Sequence, residues 1–207
     1  MRYLIVCGGK IDKEFGLNEI KTDGIDAIIA ADSGMDFLYE NSVTPDIIVG
    51  DFDSTKTNAL EYFERKGQTE IRRLNPIKDD TDTEYAIRLA ISEGARSIVV
   101  LGATGSRIDH VLGNISLLGI GLESGTDICI IDTNNRIRMA DKPVTIEKSA
   151  QYGRFVSLIA VTDDNEVSLK GFKYPVTDYS FDRFTSLGIS NEIVDDQAVV
   201  DIHRGKF

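Results

Sequence analysis

Through the first ~130 residues, short apolar runs alternate with longer stretches in which apolar residues recur at helical spacing. The runs predict strands at residues 3–7, 27–31, 47–49, 71–74, 97–101 and 128–131. Most are continuous rather than alternating, as expected of strands covered on both faces. Three helices stand between them. Residues 56–66 place Ala59, Leu60 and Phe63 on one face. Residues 83–93 do the same with Ala86, Ile87, Ala90 and Ile91, and Gly94 ends that helix. Over 108–122, Ile108, Val111, Leu112, Ile115, Leu118, Gly119 and Leu122 follow the i, i+3, i+4, i+7 rule. Alternation of this kind predicts an α/β fold with a mainly parallel sheet flanked by helices.

The pattern changes after Asn134-Asn135. Short runs follow at 137–140, 144–147, 155–161, 166–169, 174–177, 192–194 and 198–202, with turn residues between them and no amphipathic helix. They predict a small C-terminal all-β sandwich or barrel. The expected division is therefore 1–133 and 134–207. The second part is small for a core of its own and is expected to lean on the first part or on a partner subunit.

Composition narrows the function. With 23 basic and 34 acidic residues the chain carries a net charge of −11. It lacks a basic block, which argues against nucleic-acid binding. No apolar run approaches the ~20 residues of a membrane helix, and residues 3–7 are too few for a signal-peptide core. No membrane association is expected. Cys7 and Cys129 lie inside apolar runs and read as buried hydrophobes, which suits a reducing cytoplasm. His110 and His203 have no metal-ligand spacing; His110 reads as a surface or helix-packing residue and His203 as solvated.

Aspartates gather where the predicted strands end. They occur in Asp32-Ser33-Gly34, Gly50-Asp51-Phe52-Asp53-Ser54 and Lys78-Asp79-Asp80-Thr81-Asp82. Parallel sheets bind ligands at that edge. One such segment is an ordinary helix cap; several in one sheet point to a site. Asp51 and Asp53, one residue apart on an extended segment, point the same way and repel unless a cation neutralises them. With Asp79 they make a hard oxygen set suited to Mg²⁺, which commonly also binds substrate phosphates. The 102–107 loop, with Gly102, Thr104, Gly105 and Arg107, precedes the longest helix. Its glycines permit close backbone approach, the helix N-terminus favours an anion, and Arg107 can grip phosphate oxygens. It is not a Walker A loop, because no Gly-Lys-Ser/Thr follows.

These segments, with Ile108-Asp109-His110 and Gly188-Ile189-Ser190-Asn191-Glu192, resemble thiamine pyrophosphokinases, in the family's order and across residues 5–195. The resemblance implies an N-terminal ATP- and metal-binding domain, a C-terminal thiamine-binding and dimerisation domain, Mg²⁺, and a homodimer with sites shared between subunits. It assigns Asp51, Asp53 and Asp79 to metal and catalysis, and Asp82 to another acidic position of that motif. Asp79 or Asp82 would be the general base. Asp32, Ser33, Gly102, Thr104, Arg107 and Asp109 fall on the ATP side, and Ser190 and Asn191 on thiamine. The chain departs from the family at Ser106, where a second glycine is expected, and in having no Trp. A thiamine ring would have to stack on Phe or Tyr, or on nothing. Three rivals remain. A pyrophosphokinase for another alcohol, such as a pterin, would share the phosphate motifs. A haloacid-dehalogenase-type phosphatase would use Asp51 as nucleophile and Asp53 as acid/base, although that motif normally ends the first strand. A nucleotide-sensing module would bind ATP without turnover.

Overall fold

The computed structural model describes residues 1–52, 57–75, 80–105 and 107–207. The chain forms two compact units, Met1–Arg138 and Met139–Phe207.

The first unit is built on strands β1 (Arg2–Val6), β2 (Ala27–Ala31), β3 (Ile47–Gly50), β4 (Glu70–Arg73), β5 (Ser97–Leu101), β6 (Asp127–Ile131) and β7 (Arg136–Ile137). Their order in the sheet is β4-β3-β2-β1-β5-β6-β7. All neighbours are parallel except β6 and β7. Every predicted strand of this half is present, and its continuous apolar runs are the core: Leu4, Ile5, Val6, Ile29, Ile48, Ile98 and Leu101 are almost inaccessible to solvent. Strand order reverses direction between β1 and β5. The chain steps from β1 outward through β2 and β3, then returns to the other side of β1 with β5. That is the switch point at which such sheets leave a crevice.

Among the described residues, five helices connect the strands: α1 (Lys13–Ile20), α2 (Gly34–Glu40), α3 (Ala59–Lys66), α4 (Asp82–Ser92) and α5 (Ile108–Ser124). α3, α4 and α5 match the periodic stretches to within a few residues. α4 starts with Thr81 accepting from the Glu84 N–H at 3.2 Å, the first half of a capping box. α5 differs from expectation in its packing. Leu118 and Gly121 are buried, but Ile108 is 73% and Leu112 61% exposed, so the first half of the apolar stripe is uncovered within the chain.

The second unit holds β8 (Val144–Glu147), β9 (Glu166–Lys170), β10 (Val176–Ser180) and β11 (Gln197–Arg204) in an antiparallel sheet ordered β10-β9-β11-β8. Val167, Leu169, Phe172, Phe181, Ala198, Val200 and Ile202 form its core. Two details depart from the sequence pattern. The run 137–140 was expected in the second domain, with a boundary after residue 133. Instead Ile137 pairs with Ile130 as part of β7, because the chain turns back on itself after β6. The run 155–161 is extended but joins no ladder: Val156 bonds Asn191, Leu158 bonds Gly188 and Val161 bonds Lys206, three partners in succession.

Candidate functional site

The carboxyl edge of the seven-stranded sheet gathers three of the aspartates singled out in the sequence. Asp32 follows β2, Asp51 follows β3, and Asp82 occupies the first turn of α4. Their carboxylate oxygens lie within 4.8 Å of one another, and all three residues are half-buried. Local backbone explains the convergence. The Asp32 N–H donates to the Val49 carbonyl at 2.7 Å, tying the end of β2 to that of β3. Asp32 and Phe52 both take left-handed conformations, with φ of 47° and 66°, which turn the chain sharply out of the sheet. The donor set is made of hard oxygens that mutually repel. It therefore fits a divalent cation such as Mg²⁺, which would offset the repulsion.

Sequence reading had divided these three residues among different roles: Asp32 with ATP, Asp51 with metal, Asp82 with acid/base work. The structure brings them together. Asp53, Asp79 and Ser106 lie outside the described residues. Ser33 precedes α2 and packs where Gly8 leaves no side chain.

The switch point itself is made of backbone packed on backbone. The Gly9 N–H donates to the Gly102 carbonyl at 3.0 Å. Gly102 has φ +69°, and a Cβ there would overlap the Cys7 carbonyl oxygen, so only glycine fits. The loop that follows is held from α5, whose Asn114 amide donates to the Ala103 carbonyl at 2.9 Å. Arg107 and Asp109 pair with each other at 2.7 Å, both well exposed. The hydrogen bond from Arg107 holds the Asp109 carboxyl below its ordinary value. Because both side chains are exposed, breaking this ion pair costs little. His110 is exposed, as its sequence position suggested.

Cys7, at the end of β1, is buried. Burial pushes its thiol up to about 11, while Thr83 Oγ1 donates to its sulfur at 3.4 Å. It is a neutral packing residue and not a nucleophile. Cys129 is also buried, and both thiols are free.

Beside Gly102 lies a cavity of about 290 Å³ over the ends of β5 and β6. Several of its lining residues, Lys10, Asp12 and Asp132 among them, were not singled out in the sequence. Asp132 had a visible signal: like Asp32 and Asp51, it is an aspartate that directly follows an apolar strand.

In the second unit, Asn191 is 6% exposed. Its side chain accepts from the Tyr174 N–H at 3.1 Å and donates to the Tyr174 carbonyl at 2.9 Å. Asn191 thus clamps the Tyr174 main chain. Ser190 beside it is exposed in a left-handed conformation, φ 62°, with its N–H donating to Ser157 Oγ at 3.0 Å. Tyr174 presents an exposed ring, with the Lys173 ammonium 5.6 Å from its centroid. Glu192 is bridged by both Lys173 and Arg154.

A parallel sheet with clustered carboxylates and a glycine-lined crevice at its carboxyl edge defines a phosphate-handling α/β enzyme. Asp51 closes the third strand in chain order, next to the sheet edge strand β4, which is not the first-strand position of a dehalogenase-type nucleophile. Comparison with known proteins specifies the class. The chain matches the family model "Thiamin pyrophosphokinase, catalytic domain" over residues 21–130 and "Thiamin pyrophosphokinase, vitamin B1 binding domain" over residues 143–206. It is 32% identical over 179 residues to the thiamine pyrophosphokinase of Bacillus subtilis, covering 86% of this chain and 83% of that protein. The crystal structure of the Bacillus subtilis thiamine pyrophosphokinase superposes with a TM-score of 0.88 at 30% identity, covering 100% of this chain and 96% of that one. That of the Geobacillus thermodenitrificans thiamin pyrophosphokinase gives 0.85 at 29%, covering 100% and 94%. The chain belongs to the thiamine pyrophosphokinase family. None of the described helices is long and apolar enough to cross a membrane.

Proposed function

We propose that this protein transfers the pyrophosphoryl group of ATP to the primary hydroxyl of thiamine, giving thiamine diphosphate and AMP. The observation that carries the reading is the convergence of Asp32, Asp51 and Asp82 at the crevice of a chain with both family domains in order. The thiamine oxygen forms a bond to the β-phosphorus as the bond between that phosphorus and the α,β-bridging oxygen breaks. AMP leaves with the electron pair. Such transfers depend on positioning and charge neutralisation more than on covalent catalysis. Asp32, Asp51 and Asp82, together with Asp53 and Asp79, would hold a Mg²⁺, which would supply charge neutralisation to the triphosphate. The hydroxyl proton passes to a carboxylate, Asp82 or Asp79. Arg107 exchanges its partner Asp109 for phosphate oxygens and offsets their charge. Ser190 meets thiamine, and Asn191 holds the adjacent Tyr174 main chain in place.

The working form is a homodimer. Ile108 and Leu112 on α5, and Phe184, 90% exposed, with Leu187 and Ile189 in the second unit, are apolar side chains that a partner would cover. Two buried free thiols suit a cytoplasmic setting. The reaction is tested by incubating the protein with ATP, Mg²⁺ and thiamine and weighing the products by mass spectrometry. AMP and thiamine diphosphate are expected in equal amounts. ADP with thiamine monophosphate would mean attack at the γ-phosphorus and refute the mechanism. Turnover of a pterin alcohol in place of thiamine would reassign the acceptor.

A further inference from the structure

We propose that Arg73 is a positioning residue for the carboxylate centre: its guanidinium, braced by Glu64, holds the Phe52 ring in place and thereby fixes the direction of the Asp51 carboxylate. This rests on the reading of Asp32, Asp51 and Asp82 as the seat of a divalent cation.

Phe52 directly follows Asp51 and takes φ 66°. That is the left-handed region, which a bulky side chain seldom enters. Such a conformation persists only where its surroundings hold it. Two contacts of the ring do so. The ring folds back over Gly50, where an added Cβ would lie 3.1 Å from Phe52 Cε1 and 3.1 Å from the Asp32 Cα. The ring and the Asp32 main chain thus close on the same glycine. The second contact is the Arg73 guanidinium, 5.4 Å from the ring centroid, within the range of a cation–π interaction.

Strand pairing brings Arg73 there. β3 and β4 run parallel with Gly50 opposite Arg73, and the Leu74 N–H donates to the Gly50 carbonyl at 2.9 Å. Arg73 Nη2 in turn donates to Glu64 Oε1 on α3 at 2.5 Å. Arg73 is 60% and Glu64 42% exposed, so their ion pair adds little to the stability of the fold. What it does is hold the guanidinium in one place beside the ring. The peptide plane between Asp51 and Phe52 is shared by both residues. If the ring leaves Gly50, that plane turns, and the Asp51 carboxylate turns with it, away from Asp32 and Asp82.

A simpler role for Arg73 would be its charge, and the two roles predict opposite signs. A cation beside carboxylates repels a metal ion, so removing it would tighten metal binding. Removing a positioning contact would loosen it.

The test titrates Mn²⁺ into the nucleotide-free protein, with free Mn²⁺ read by electron paramagnetic resonance and the melting temperature followed alongside. Arg73→Ala should weaken Mn²⁺ binding about three- to fivefold, the size of a lost exposed cation–π contact. Phe52→Leu should weaken it as much, and the double variant should be no weaker than either single one. Glu64→Ala should act in the same direction and have no effect once residue 73 is Ala. In steady-state assays of Arg73→Ala, the Mg²⁺ concentration for half-maximal activity should rise by the same factor, with kcat at saturating Mg²⁺ and KM for thiamine near wild type. Tighter Mn²⁺ binding in Arg73→Ala would assign its effect to charge. Unchanged affinity with a lowered melting temperature would make it a brace of the fold. Losses that multiply in the double variant would separate Arg73 from Phe52. Each of these would overturn the proposal. If Phe52→Leu does not fold, Arg73→Ala and Glu64→Ala, both at exposed positions, decide the matter. Mn²⁺ binding that Asp51→Asn leaves unchanged would overturn the metal seat and this proposal together. A wild type that binds Mn²⁺ in the expected manner but makes no thiamine diphosphate would refute the proposed reaction and not the role of Arg73.

Discussion

Asp32, Asp51 and Asp82 hold like charges within 4.8 Å of one another, which makes substitution there a matter of function more than of fold. Replacing any one by Asn removes a charge and keeps the shape. Asn is also the right probe for Asp32, because it tolerates the left-handed conformation at φ 47° that Ala would strain. Each Asn variant should lose on the order of 10²–10³ in kcat, as expected when a group that stabilises the transition-state charge is removed. Relief of repulsion should leave the metal-free melting temperature unchanged or raised. Variants that unfold while magnesium dependence persists would make these aspartates structural caps. The strand-end positions of Asp32 and Asp51 were legible in the sequence, because each closes an apolar run. The mutual distance of the three aspartates was not, since it depends on the pairing of β2 with β3 and on the start of α4. The hydrogen bonding of the Asn191 side chain was illegible for a similar reason. In sequence it neighbours Ser190 and suggests a direct ligand contact; in the structure both ends of its amide serve Tyr174.

Among the elements, the loop after β5 carries the strictest steric demand. At Gly102 a methyl group meets the Cys7 carbonyl, which is backbone and cannot yield, and the residue must also hold φ +69°. Gly102→Ala should cost about 2–3 kcal/mol, read by urea unfolding. It should also impair activity beyond what that loss of stability explains, because the crevice shifts. A cost under ~0.5 kcal/mol would show that the Gly9–Gly102 approach is not required. The strands of this sheet were legible because burial on both faces writes an uninterrupted apolar run. α1 and α2 were not. α1 buries only Gly16, which packs against Phe37 and Ile11 through the absence of a side chain and so leaves no hydrophobic period. α2 has seven residues, too few turns for a period to show, and buries Gly34, Met35 and Leu38. The run 137–140 was grouped with the second half because the hydrophobic pattern changes after Asn134-Asn135. Those two asparagines form the turn that Asp132 folds back into the first sheet.

For the molecule as a whole, the open matter is which chain completes each site. Ser190 belongs to the second unit, while Asp51 and Asp82 belong to the first. The uncovered apolar side chains on α5 and around Phe184 favour a partner subunit. A symmetric dimer holds two equivalent sites; if these are shared, Ser190 of one protomer serves the carboxylates of its partner. Two inactive variants distinguish this from a site built within one chain. Asp51→Asn damages the metal side, and Ser190→Ala with Asn191→Ala damages the thiamine side, its fold being checked by circular dichroism because Asn191 is buried. Mixed at equal concentration with free subunit exchange, half the dimers carry one chain of each kind. With shared sites, one of the two sites in a mixed dimer draws both lesions and the other draws none. About a quarter of wild-type activity should then return. With sites built within one chain, every site keeps a lesion and nothing returns. Exchange is followed by native mass spectrometry of differently tagged chains. Complete exchange without recovered activity would place each site within a single chain.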